Sequence, residues 1–369
     1  MRGVFLAGAI ALGCAFVSSP AHAIQGGVID TTHKYAVAIM NTTTDGATCS
    51  GVLITPNLVL TSRQCVEGVD YKNPPVPGAI DCTLQPTFTG AMKSVKVSTD
   101  ANAVQATART VKSIAVPNTA EVCGNDLALI ILDDLVDAAV AMPVAPAVNE
   151  APNHPKYQRK LAAVGYGATS ASASDPGTRR ALEQITIACV PGDATFPCPA
   201  TFDAAELAGG DGLCDFDIGL GGIEQASFTN GTPIALGILS RHGTDMGNCV
   251  GSIFSRLDIH RDFIVGAAES ASNNWALYGK PSWADPPPAP DGGPGDVDAG
   301  AEAGGGSTTT PTPGGGKTAP DSGTEEPAAD GSGDDGGCSA APKNGPIGAM
   351  ALLVGAVALA LVKRRRNRS

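Results

Sequence analysis

Cys49-Ser50-Gly51-Val52-Leu53-Ile54-Thr55-Pro56-Asn57-Leu58-Val59-Leu60-Thr61-Ser62-Arg63-Gln64-Cys65 encloses two short apolar runs, 52–54 and 58–61, between a pair of cysteines. Neither run is long enough for a helix, and Pro56-Asn57 between them is turn chemistry. The stretch reads as two strands folded back on each other. The pattern continues outward in both directions. Runs at 37–40, 127–132, 161–164, 183–188 and 234–239 are punctuated by Gly, Pro, Asn and Asp. Only 258–268 has helical character, and no internal repeat is present. Many short strands without alternating helices predict an all-β sandwich or barrel.

Aromatic residues are 4% of the 369, so any core must be built largely from Val, Ile, Leu and Ala. Ten cysteines are too many for a reducing compartment unless they hold metal. No Cys-x-x-Cys pair occurs, and no His lies within five residues of a Cys. Disulfides in an exported protein are therefore expected, with no metal and no cofactor. The formal charge of −12 argues against a nucleic-acid partner. It is unevenly spread: 24–280 hold 25 acids and 16 bases, 281–337 eleven acids and one base, and the last 32 residues six bases and no acid.

Both ends of the chain carry their own signals. Arg2, an apolar run over 3–17 and Ala21-His22-Ala23 make 1–23 a secretory signal peptide, with cleavage after Ala23. In 281–337, 25 of 57 residues are Gly or Pro and Trp283 is the lone aromatic, which predicts a disordered linker extended by its own acidity. Residues 346–362 are apolar and uncharged and precede Lys363-Arg364-Arg365-Arg366, the pattern of a single transmembrane helix with a cytoplasmic basic cluster. Cys338, this helix and the terminal arginines resemble the C-terminal sorting tails of myxobacterial surface proteins. That resemblance implies that Cys338 marks a processing site in the 338–369 tail. The other reading is a plain membrane anchor. Both place the folded part outside, at the cell surface or outer envelope, anchored by its C-terminus or released after processing.

The folded part, 24–280, carries six motifs in order: Ile24-Gln25-Gly26-Gly27, the 49–65 strand pair, Asn125-Asp126-Leu127-Ala128-Leu129, Gly165-Tyr166-Gly167, Cys214-Asp215-Phe216-Asp217-Ile218-Gly219, and Gly237-Ile238-Leu239-Ser240 ahead of Cys249. In order and spacing they resemble the trypsin-like serine proteases, peptidase family S1. The resemblance implies two six-stranded antiparallel β-barrels with a C-terminal helix and an active site between the barrels. It also implies the disulfides Cys49–Cys65, Cys189–Cys198 and Cys214–Cys249. Cys82 and Cys123 are left as a fourth pair by elimination.

The chemistry of that family needs a hydroxyl nucleophile, an imidazole to take its proton and a carboxylate to orient the imidazole. Where the resemblance places the histidine stands Gln64, and an amide cannot accept and return a proton near neutral pH. Where it places the serine stands Ile218. No His lies between His33 and His154, and no Ser between Ser174 and Ser227, so shifting the alignment restores neither group. Asp126 is retained, as a hydrogen-bond acceptor for Gln64 or Ser240. Phe216 replaces the glycine whose N–H faces the developing oxyanion, and its Cβ disfavours positive φ. Gly212 occupies the position that sets primary specificity, and Ser240, Arg241 and His242 lie where the substrate strand meets the cleft. Asp217 is implied as the partner of the ammonium that cleavage after Ala23 would free on Ile24.

These substitutions predict a catalytically inactive, monomeric homologue that acts by binding a protein or peptide. Two alternatives stand beside it: an active endopeptidase with an unrecognised nucleophile, and a purely structural surface protein. His33, His154, His242 and His260 are expected at the surface or in loops.

Overall fold

Alternation along the strands of the 49–65 stretch sorts their side chains into two different cores. In the computed structural model, which describes residues 24–43, 46–72, 82–173 and 175–287, the stretch forms strands over Ala47–Thr55 and Leu58–Thr61. Leu53 and Val59 point into one cluster with Val37, Ile39, Ala128 and Ile130. Their neighbours Val52, Ile54, Leu58 and Leu60 point into another, with Val164, Ile223 and Ile238 from the second half of the chain. A strand with core on both faces has no polar face, which is why these stretches read as continuous apolar runs.

The first sheet comprises β1 (Ala36–Asn41), β2 (Ala47–Thr55), β3 (Leu58–Thr61), β4 (Val95–Ser98), β5 (Val111–Ala115) and β6 (Ala128–Leu132), in the order β4-β1-β2-β3-β6-β5. The second is built on β7 (Lys160–Gly165), β8 (Arg180–Cys189), β9 (Glu206–Gly209), β10 (Gly221–Glu224), β11 (Ile234–Asp245) and β12 (Asn248–Arg256), with the two-residue strands Val28–Ile29 and Ala145–Pro146 added on β8 and β11. These six form a ring, β8-β7-β10-β11-β12-β9, closed by pairing of β9 with β8. Leu161, Ile185, Leu207, Leu236 and Phe254 pack in its own core. The all-β, trypsin-like architecture is as expected, with one correction. Only the second barrel closes fully. The edge strands β4 and β5 are joined through the neighbouring Arg109, which exchanges backbone hydrogen bonds with Val97.

Two further differences concern the helices and the domain boundary. The expected helix at 258–268 runs instead over Arg261–Ala271, after a turn in which His260 N donates to Leu257 O. A short helix, Gln225–Thr229, was not legible in the sequence; the Glu224 side chain caps it by accepting from Ser227 N. The folded unit runs past the expected boundary at 280. Trp283 packs against the shared core, Ala284 is buried, and Asn149 donates to the carbonyls of Trp283 and Asp285. Residues 281–287 therefore do not belong to a disordered linker.

Cys49–Cys65, Cys82–Cys123, Cys189–Cys198 and Cys214–Cys249 are all bonded. The expected signal peptide (1–23), the expected linker beyond 287, the expected processing site Cys338 and the expected transmembrane tail lie outside the described residues. Among the described residues, no helix is long and apolar enough to cross a membrane.

Candidate functional site

β3 ends at Thr61 and passes into a single 3-10 turn, Arg63–Cys65, which carries Gln64. The turn is fixed from behind. Buried Arg63 donates to Glu67 at 2.7 Å and to the carbonyls of Pro117 and Thr119, and its guanidinium lies over the Phe88 ring at 4.1 Å. Asp126, just before β6, is fully buried beneath Gln64.

The Asp126 carboxylate collects four donors. It accepts from Gln64 N at 3.0 Å, Gln64 Nε2 at 2.7 Å, Ser62 Oγ at 2.8 Å and Ser240 Oγ at 2.7 Å. Gln64 Nε2 also donates to Ser240 O at 2.5 Å, so both amide hydrogens of Gln64 have an acceptor. Burial pushes the Asp126 carboxyl above the usual carboxylate range, against the pull of these hydrogen bonds. Ser240 thus meets Asp126 through its hydroxyl and Gln64 through its carbonyl.

Gln64, Phe216, Ile218, Ser240 and His242 line one cavity of about 420 Å³, together with Tyr71, Lys93 and Asp215. Lys93 Nζ donates to the Gln64 carbonyl at 2.5 Å. Phe216 sits at φ +68°, so the backbone adopts the conformation that its Cβ disfavours. Its side chain packs near the Cys214–Cys249 bridge.

The histidine of this strand is not a surface residue. His242 is buried, with Nδ1 at 3.0 Å from Gly243 O and Nε2 at 3.1 Å from Asp215 Oδ1. Burial opposes its charged form, but the hydrogen bonds to Asp215 and Gly243 prevail and its pKa is raised. Both ring nitrogens face acceptors, the arrangement an imidazolium satisfies. His33 stacks on Phe228 at 4.2 Å and His260 contacts Gly124 O at 2.7 Å; His154 is exposed.

Arg241 also lines this cavity, whereas Gly212 does not. The Arg241 guanidinium is buried in a two-pronged ion pair with Glu206, at 2.6 and 2.9 Å. Gly212 lies against Gln25 and Leu182, away from the residues lining the cavity. Ile24 and Asp217 are both fully buried. Asp217 accepts from Gly167 N at 2.9 Å and from Cys214 N at 3.0 Å. Gly167 allows this approach, since a Cβ there would stand 2.2 Å from the carboxyl carbon. Burial pushes the Asp217 carboxyl up to about 7 despite those donors. In the full-length chain the Ile24 nitrogen is in peptide linkage to Ala23 and carries no charge.

Ser62, Lys93, Asp215 and Glu206 escaped the sequence reading. Ser62 and Asp215 carried a local signal, standing two residues from Gln64 and next to Phe216; Lys93 and Glu206 meet the site residues only through the tertiary fold.

Residues 24–195 match the family model described as Trypsin. No curated protein matches the chain. Among solved structures, the chain resembles an atomic-resolution structure of HBP, with 18% identity and a TM-score of 0.45, covering 72% of this chain and 100% of that one. It also resembles human heparin binding protein, with 17% identity and a TM-score of 0.42, covering 66% of this chain and 95% of that one. A mutant of human heparin binding protein gives 16% identity and a TM-score of 0.43 over the same shares.

Proposed function

We propose that this trypsin-fold domain is a secreted pseudoprotease, which cleaves nothing and binds a protein or peptide partner in the cleft that an active relative would use for cleavage. The observation that carries this reading is Gln64. Its amide occupies the space between Asp126 and the Ser240 carbonyl with both hydrogens engaged, and it offers no nitrogen lone pair to a substrate hydroxyl. Ile218 has no hydroxyl to activate. Ser240, the hydroxyl beside Gln64 in the cavity wall, is 1% exposed and donates to Asp126. An unrecognised serine nucleophile there would first have to leave that bond.

The four disulfides are consistent with an extracellular site of action. In this reading, removal of 1–23 frees the Ile24 ammonium to pair with Asp217, and the tail beginning at Cys338 anchors the chain at the cell surface or is processed there. The chain acts as a monomer.

The test is to expose the full exported chain to a fluorophosphonate probe and to casein. We expect neither labelling nor turnover. Labelling that persists after substitution of the surface serines would overturn the reading and favour the active endopeptidase.

A further inference from the structure

A second cavity, of about 540 Å³, opens at the seam between the two barrels and shares no lining residue with the Gln64 cleft. It is bounded by the segment before β1, by the connection that follows β6, and by the turn after the short helix Gln225–Thr229. Its size is that of a small-molecule site. The walls are apolar: Tyr35 and Phe228 supply ring faces, and Val140 and Met142 stand at the opening with 38% and 70% of their surface left in water. A contiguous apolar surface kept wet by a single chain marks a place where something docks.

The polar groups of the cavity decide what would dock. No acidic side chain lines it. His33 is held by Asp30 at 2.8 Å and stacked on Phe228, so it is engaged. Lys34 is exposed, lines the cavity, and makes no ion pair among the described residues. Tyr35, in the same wall, has its hydroxyl buried without a hydrogen-bond partner among the described residues. An apolar cavity with one free cation at its edge suits a ligand with an apolar body and an oxygen anion.

We propose that this seam binds a single-chain amphiphilic carboxylate, its alkyl body against Phe228, Val140 and Met142 and its head on Lys34 Nζ. The inference is independent of the cleft and of whether the protein cleaves peptides. It is tested by titrating the full exported chain calorimetrically with dodecanoate below its micelle concentration, beside dodecyltrimethylammonium as the cation of equal chain length. One-to-one binding of dodecanoate alone is expected. Lys34→Glu should weaken it by about tenfold or more, the scale of one lost charge-assisted contact, while Lys34→Arg stays close to wild type. Ala139→Trp, at an exposed position in the lining, should abolish binding by filling the cavity. Both sites are exposed, so the fold survives and the test stays decisive. The proposal is overturned by saturable binding of the cation with equal strength, by a Lys34→Glu or Ala139→Trp variant that binds dodecanoate as wild type does, or by no binding at all.

Discussion

Asp126 shows how a residue can outlive the role that its motif implies. The carboxylate has no imidazole to orient, yet four donors converge on its two oxygens, and those donors fix the turn that carries Gln64. Asp126→Asn tests this. Whichever way the new amide is turned, its NH₂ faces either Gln64 N or Gln64 Nε2, so one buried donor meets another. We expect a loss of about 1–3 kcal/mol in denaturant unfolding, with Asp126→Glu worse through overpacking. Phe216 is the second case. Its identity was legible as the loss of a glycine, but its φ of +68° was not, because the conformation is imposed by the Cys214–Cys249 loop around it. At such a φ a β-branched side chain is strained more than Phe, and glycine is not strained at all. Phe216→Val should therefore be less stable than Phe216→Gly by about 1–2 kcal/mol, measured as a difference in unfolding midpoints.

At the scale of elements, Arg241 and Glu206 join β11 to β9 across the ring, on opposite sides of β12. The Glu206 carboxylate also accepts from Gly124 N at 3.1 Å, which ties the Cys123 loop to the second barrel. Breaking such a pair leaves a buried charge alone. Glu206→Gln should cost about 3–5 kcal/mol, and adding Arg241→Met should recover a large part of it, a cycle read by chemical denaturation. The strands themselves were partly visible beforehand. β3 matched its apolar run residue for residue, and β2 and β11 extended theirs. β4, β5, β9, β10 and β12 were missed because polar or small residues interrupt them, as in Val111–Ala115, Glu206–Gly209 and Gly221–Glu224. Ladder pairing with a neighbour holds these segments, and a neighbour distant in sequence leaves no local trace.

For the whole molecule, the proposed pairing of a freed Ile24 ammonium with Asp217 carries a pH signature. In the folded chain its carboxyl titrates near 7, against an ordinary value near 3.8, so folding takes up a proton between those values. A carboxyl raised in this way stabilises the fold at low pH and loses that contribution as pH rises. Chains in which residue 24 remains in peptide linkage should thus lose stability, on the order of a few kcal/mol, from about pH 4 to pH 7. A chain beginning at a free Ile24 should lose markedly less, because an ammonium would draw the Asp217 pKa down. Thermal unfolding of the two forms across that range measures the difference, and Asp126, common to both, cancels. Equal pH dependence would rule out an Ile24–Asp217 pairing. The sequence by itself determined the all-β class, the order of the motifs and the absence of imidazole and hydroxyl at positions 64 and 218, since composition, local apolar runs and residue identity are properties of the chain alone; the cysteine pairs followed only from the family resemblance and elimination until the structure showed them bonded. Only the tertiary structure decided that one barrel closes and the other does not, that Arg241 is engaged while Lys34 is free, and that Gln64 fills the site it occupies. Each of these depends on which side chains, far apart in sequence, meet in a space closed to water.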